Sequence, residues 1–571
     1  MPHRILILLF VLLSIASGSL AAQPGAPVVR GVSRQPAATI VALFTSLRYD
    51  SAVIAVQRLY ASAGMLATSV ERDSSGAIVI TEGSVYTVRS VSYRPDSLAL
   101  MLETGGVRRP FVGRPFAEAD VNDEMLTIVH ELNGRGYPLA TARLLDVRID
   151  DSAHAVDMTV ELVPGERVRI SKVDVRGNTS TKTSLILTAA AVPHDALFSD
   201  ELAQQVRRRL ERLNLFSEVS EPQLFRSDSG VYGLFIAVKE GTTNTFDGVV
   251  GLQPADSGGS VTLTGLVNVS FRNIFGTGRR LALRWQKLST TASQLELRYG
   301  EPFLFSLPLD LDIGFSQNQE ASTPVLLSYV QRSFFGNLYY GLTDAFTVKL
   351  GAAYQTTIPQ SDSTQPCTMQ LLNTSTLETS LGIVYDTRSS TVNPMSGVRY
   401  NTSYAVGAES VRGPSRCADG YPASDTRGRL EADLECYVPM FKRFVAVGAA
   451  HYGDVTGALV EEADLFRMGG QSTVRGYLEN AILASQRIWG NAEFRMLLAP
   501  TSYVGLFTDY GYYLRREDLR KGISQQTGWL LGYGVSAQIE TPLGLMKLSY
   551  ALSRDDTFAT GKVFVGLVNQ F

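Results

Sequence analysis

The sequence predicts a two-part chain: α+β repeats of β-α-α-β-β order, followed by an all-β transmembrane barrel of about 16 antiparallel strands. Three observations predict it. A turn mark recurs roughly every 80 residues in the first half. Two-residue alternation replaces helical periodicity in the second half, and the chain stops on an apolar strand residue, Phe571.

The N-terminus has Arg4, an apolar stretch from Ile5 to Ile15, and small residues ending at Leu20-Ala21-Ala22. This is the pattern of a secretory signal peptide over residues 1–22. After it there is no apolar run long enough for a membrane-spanning helix. Hydrophobic residues make up 45% and charged residues 19%, which excludes a disordered chain. A net charge of −3 implies no nucleic-acid partner. Export favours an oxidising compartment. Cys367 and Cys417 fall in polar, loop-like stretches and could pair or stay free, while Cys436 sits in a strand-like run.

The turn marks are Ile80-Thr81-Glu82-Gly83, Leu162-Val163-Pro164-Gly165 and Val238-Lys239-Glu240-Gly241. Between them lie helical spacings: Val121, Met125, Ile128 and Leu132, then Leu202, Val206, Leu210 and Leu213. Ile54, Leu59 and Ala63 echo them faintly. The run Val156, Met158, Val160, Leu162 alternates with Asp157, Thr159 and Glu161, as a half-buried strand does. Two full units are expected at 84–165 and 166–241, with a divergent or truncated one at 38–83.

The barrel is expected over 242–571. Leu295, Leu297 and Tyr299 alternate with Glu296 and Arg298, and Leu309, Leu311, Ile313 and Phe315 with Asp310 and Asp312. An apolar face opposite a charged one, repeated over long strands, suits a wall between lipid and lumen. In lipid every backbone group must be paired, which a closed barrel achieves. The last strand, through Gly566 to Phe571, is therefore expected to pair with the first. Glycine within a strand weakens it, so this seam is expected to be a weak one.

Gly469 and Gly470 permit a sharp turn, and the loop after them can fold into the barrel carrying Arg475 inward. Asp509 shares a strand face with Phe507 and Gly511. That face is affordable only in the lumen, where Arg475 would pair with Asp509 and Glu493 is a second candidate partner. The five histidines are scattered, and no Gly-x-Ser-x-Gly elbow occurs. No catalytic residue, cofactor site or metal site is expected, and the protein is not expected to be an enzyme.

The stretch Phe466-Arg467-Met468-Gly469-Gly470, with Val474-Arg475-Gly476-Tyr477, resembles the loop motif of the BamA/TamA-type outer-membrane assembly-factor superfamily. Phe507-Thr508-Asp509-Tyr510-Gly511 resembles its Phe-x-Asp-x-Gly strand, and Asn491 to Arg495 the strand before it. Phe271 to Gly278 is similar to an early barrel hairpin, and Asp386-Thr387-Arg388 with Asn393-Pro394 and Gly397 to a mid-barrel turn. The N-terminal units look like POTRA domains. Where the family usually has an aromatic two residues before its last, this chain has Asn569.

The resemblance implies a bacterial outer-membrane location, with the POTRA region in the periplasm. It also implies a function: insertion of unfolded β-barrel or autotransporter-like clients, received by β-augmentation. The implied partners are outer-membrane lipid, those clients, and accessory proteins of the periplasm or inner membrane. A rival reading is a two-partner-secretion translocator exporting one dedicated soluble protein. Its usual plug helix is not suggested by the short, Pro/Gly-rich segment Gln23 to Arg34.

Overall fold

The computed structural model describes residues 28–95, 112–253, 262–287, 289, 291–320, 327–360, 366–413, 418, 421–541 and 544–568. The expected signal peptide (1–22), Cys417 and Phe571 lie outside them. The described chain forms two compact units. One holds residues up to Asp174 with Pro193–Gln205 and Pro222–Phe235; the other holds Val175–Val192, Val206–Glu221 and Ile236 onward.

The first unit opens with the strand Val29–Arg30, helices Ala37–Ser46 and Tyr49–Ala61, and strands Ser69–Arg72 and Ile78–Thr81. Val29–Arg30 pairs in parallel with Ile78–Val79, so the β-α-α-β-β order is complete. The module therefore starts ahead of the expected 38–83. A two-residue strand carries no periodicity, which is why the sequence hid it. The buried face of its second helix also differs from expectation. Ala52, Val56 and Tyr60 are buried at fourfold spacing, whereas Ile54 is exposed. Tyr60 packs with Ile40, Val56, Met65, Ile78 and Ile80.

The turn mark has a physical job here. The Glu82 carboxylate accepts hydrogen bonds from the Ser33 and Arg34 amides at 2.7 and 2.9 Å and from the Tyr60 hydroxyl at 2.9 Å. Burial opposes its charge, but these bonds outweigh it and hold the carboxyl down at about 2. Gly31 lets the chain lie against the Ile80 carbonyl, which a Cβ would overlap.

Residues 84–165 hold the strand Thr87–Arg94, the helix Glu118–Gly134 and the strands Thr141–Asp150 and Ala155–Val163. Among the described residues, which leave out 96–111, this stretch has one of the two helices that the expected β-α-α-β-β order requires. Ala155–Val163 is the central strand, parallel to Thr87–Arg94 and antiparallel to Thr141–Asp150. Its Val156, Met158, Val160 and Leu162 are buried, as their alternation requires.

The second unit contains a repeat of the Glu82 device. Glu240, at the end of the strand Tyr232–Glu240, accepts the Thr179, Ser180 and Thr181 amides at 3.1, 3.0 and 2.6 Å. Burial again opposes the charge, and the bonds again hold the carboxyl at about 2. The middle mark has Pro164 at this position, which cannot make such bonds. The Thr181 hydroxyl accepts a hydrogen bond from Asn273 at 2.9 Å, and the Lys182 amide bonds the Gly276 carbonyl at 2.8 Å. The hairpin turn Phe275–Gly278 thus seats at the start of the helix Thr183–Ala190.

Beyond Glu240 the unit is one antiparallel sheet of 16 strands in sequence order, from Asn244–Gln253 to Lys562–Val568. The register joins like with like: Leu297 faces Phe315 and Tyr299 faces Ile313, while Glu296 faces Ser316. Leu297, Ile313, Leu350, Leu377 and Leu506 are exposed on the outer side, the lipid-facing half of the alternation. Cys367 is disulfide-bonded and Cys436 is free.

The expected closure is not made. Among the described residues the last strand pairs only with Gly544–Ser553, and the first only with Thr262–Ile274. Among the described residues the last strand pairs over 7 residues with Gly544–Ser553, and Gly566 within it adds no side chain to the wall. The sheet is open at that seam among the described residues.

Candidate functional site

The site is the long connection 457–485 between the eleventh strand, Phe444–Thr456, and the twelfth, Gln486–Leu497. Its two limbs pair as a short ribbon, Phe466–Met468 against Ile482–Ala484. Gly469 and Gly470 reverse the chain with φ of +101° and +93°. The Thr473 hydroxyl accepts the Gly469 amide at 2.8 Å, and the Glu479 carboxylate accepts the Gln471 amide at 2.9 Å. Val474, fully buried, packs with Met468, Phe466, Trp489 and Leu530, so the loop tip is part of the lumenal core.

This places Arg475 against the wall. On the thirteenth strand, Tyr503–Arg515, Phe507, Asp509 and Gly511 are buried while Leu506, Thr508 and Tyr510 are exposed. Arg475 donates from Nε to Asp509 Oδ2 at 2.7 Å and from Nη2 to Oδ1 at 2.6 Å, the bidentate fork that lysine cannot copy. Its backbone amide also reaches Oδ2, at 2.9 Å. Its third nitrogen, Nη1, donates to Glu493 Oε1 at 2.6 Å. The guanidinium lies 3.4 Å from the Phe507 ring centroid. Asp509 is 0% exposed and Arg475 2%.

Gly476 passes against the backbone at Leu552, where a Cβ would crowd the carbonyl at 2.7 Å. Gly511 leaves the space that Val474 and Met468 fill. The Tyr477 hydroxyl accepts the Leu531 amide at 3.2 Å. The structure thus gathers Gly469, Gly470, Val474, Arg475, Gly476, Tyr477, Glu493, Phe507, Asp509 and Gly511 around one loop. Gly566 lies apart from it, on the last strand.

Three contributors escaped the sequence reading as partners. Asn491 donates to Asp509 Oδ1 at 2.6 Å, and Arg495 to Glu493 Oε2 at 2.6 Å. Two arginines and two carboxylates are therefore paired in one buried set, within electrostatic reach of Lys547 on the strand Gly544–Ser553. Gly532 faces the loop, and a Cβ there would overlap the Arg475 carbonyl oxygen. Alternation of Asn491, Glu493 and Arg495 was the available signal for the first two. A glycine inside a strand was the signal for the third.

An open sheet of sixteen amphipathic strands, with a loop locked in its lumen, defines an outer-membrane β-barrel protein. The model of the Omp85 superfamily domain matches residues 273–564, just over half of the chain, and the chain belongs to that superfamily. It is similar to the outer membrane protein assembly factor BamA of Neorickettsia risticii (strain Illinois), at 25% identity over 290 residues. That match covers 49% of this chain and 38% of the relative, well under half of the relative's length. The SAM50-like protein CG7639 of Drosophila melanogaster is 23% identical over 383 residues, covering 61% of this chain and 80% of the relative.

Among solved structures, the chain is similar to BamA from Haemophilus ducreyi lacking POTRA domains 1–3. The TM-score is 0.51 at 15% identity, covering 84% of this chain and 98% of that one, a likeness of fold. The protein is an outer-membrane protein whose POTRA-type modules belong to the periplasm.

Proposed function

We propose that the protein is an outer-membrane assembly factor. It receives unfolded β-barrel or autotransporter-like clients by strand addition to its POTRA-type modules and inserts them at the barrel seam. The observation that carries this reading is the open edge. Among the described residues neither Asn244–Gln253 nor Lys562–Val568 has a partner on its outer side. Unpaired N–H and C=O groups facing lipid are costly, so such an edge is a template for an incoming strand.

Main-chain pairing asks little of the client's side chains, which suits many clients rather than one. The ten-residue strand Thr141–Asp150, at one side of its three-stranded sheet, supports the receiving step. Lipid and accessory proteins of the periplasm or inner membrane complete the proposed set of partners.

The test is reconstitution of the full chain in vesicles with a urea-unfolded barrel protein. Folding of that client, read as heat-modifiable migration, should be faster than in empty vesicles. Equal rates would refute the assembly reading.

A further inference from the structure

The inward loop touches the wall at a second place. Its first limb makes a tight turn at Glu461–Asp464, in which the Asp464 amide bonds the Glu461 carbonyl at 2.9 Å and the Asp464 carboxylate accepts the Glu461 amide at 3.2 Å. From this turn Asp464 reaches the tenth strand, Ser424–Phe441, where Arg427 donates to its carboxylate. Arg429 donates to the Asp464 carbonyl at 3.1 Å, and Gln355 on the seventh strand, Phe346–Pro359, to its carboxylate at 3.4 Å. Phe466, two residues on, lies under the Arg429 and Arg487 guanidiniums, at 4.2 and 4.4 Å from its ring centroid. Asp464 is 5% exposed and Arg427 4%. Among the described residues, none of these shares a hydrogen-bond or ion-pair partner with Arg475.

We propose that Asp464 is a positioning residue, and that with Arg427 it forms a second anchor of the loop that acts independently of the Arg475 lock. The seventh and tenth strands hold the entering limb through Asp464, and its Glu461 and Glu462 also pair with Lys521 and with Arg515 at the end of the thirteenth strand. The twelfth and thirteenth strands hold the tip through Glu493 and Asp509. The chemistry of the wall fits a loop that can leave this anchor. Arg427 also faces Glu378 at 3.5 Å and Glu409 at 4.0 Å, both on the wall itself. When Asp464 withdraws, Arg427 keeps carboxylate company, so the barrel is spared a buried unpaired cation. Release of the tip alone then leaves the loop tethered at its first limb. The proposal concerns loop position and stands or falls apart from the assembly reading.

Hydrogen exchange on the full chain in detergent micelles tests it, because exchange reports opening segment by segment. Asp464→Asn should speed exchange over residues 457–466 by about tenfold and leave 473–478 at the unmodified rate, since separate anchors act separately. Arg475→Ala should do the reverse. Arg427→Lys keeps the charge but loses the fork, and should loosen the same first segment by less. It also serves if Asp464→Asn does not fold. Loosening of both segments together by Asp464→Asn, or of neither, would overturn the proposal.

Discussion

At the scale of single residues, the lock is a charge held by its geometry. A buried guanidinium is stable only with its donors satisfied, and Arg475 has three carboxylate bonds and an aromatic face. Removing Asp509 or Arg475 should cost on the order of 3–5 kcal/mol of loop attachment. Arg475→Ala and Asp509→Ala should each make the loop readily cut by protease. The double variant should be little worse than either one, because each single variant already removes the shared Arg475–Asp509 fork. Simple additivity would show that the pair is not the lock.

Glu82 and Glu240 give a prediction in pH. Their carboxyls sit at about 2 in the folded modules, below the ordinary 4.5. A depressed carboxyl stabilises fully above its unfolded value and loses that contribution as pH falls through the folded one. The turn at Ser33–Arg34 should therefore open to pepsin between pH 4.5 and about 2. Glu82→Gln should be cut throughout that window, with a much flatter pH dependence. An unchanged profile would remove Glu82 from the account.

Much of this was legible because two glycines, an arginine and an alternating aspartate already state a bend and a lumenal charge. Asn491 and Gly532 showed only as an alternating polar residue and a glycine inside a strand, because their contacts depend on where the loop tip lands among neighbouring strands.

At the scale of elements, legibility followed length. The helices Glu118–Gly134 and Asp200–Arg212 announce themselves over several turns of apolar spacing. The strand Val29–Arg30 has too few residues to show a period, and its module was read as truncated. In the helix Tyr49–Ala61 a small alanine and an amphipathic tyrosine make the buried face, so the more hydrophobic Ile54 misled. Closure of the barrel was misjudged for another reason. Alternation specifies which side of a strand faces lipid, but says nothing about whether two edges meet.

The open seam carries its own prediction. A cysteine pair placed to bridge 244–253 and 562–568, in a chain otherwise free of thiols, should stop client insertion when oxidised while the barrel stays folded. Activity should return on reduction. Full activity with the seam covalently closed would exclude insertion at this edge.

At the scale of the molecule, α+β modules that offer sheet edges, a barrel with one unpaired seam, and an anchored lumenal loop are the parts a strand-templating machine needs. Membership of the Omp85 superfamily fixes the class but not the duty, since one barrel plan can serve insertion into the membrane or export through it. Depletion of the protein from its own cell, followed by quantitative proteomics of the outer membrane and the medium, separates the two most directly. The account predicts that several unrelated β-barrel proteins fall together in the outer membrane. An outer membrane with its barrel proteins at normal levels, and a single soluble protein missing from the medium, would contradict it.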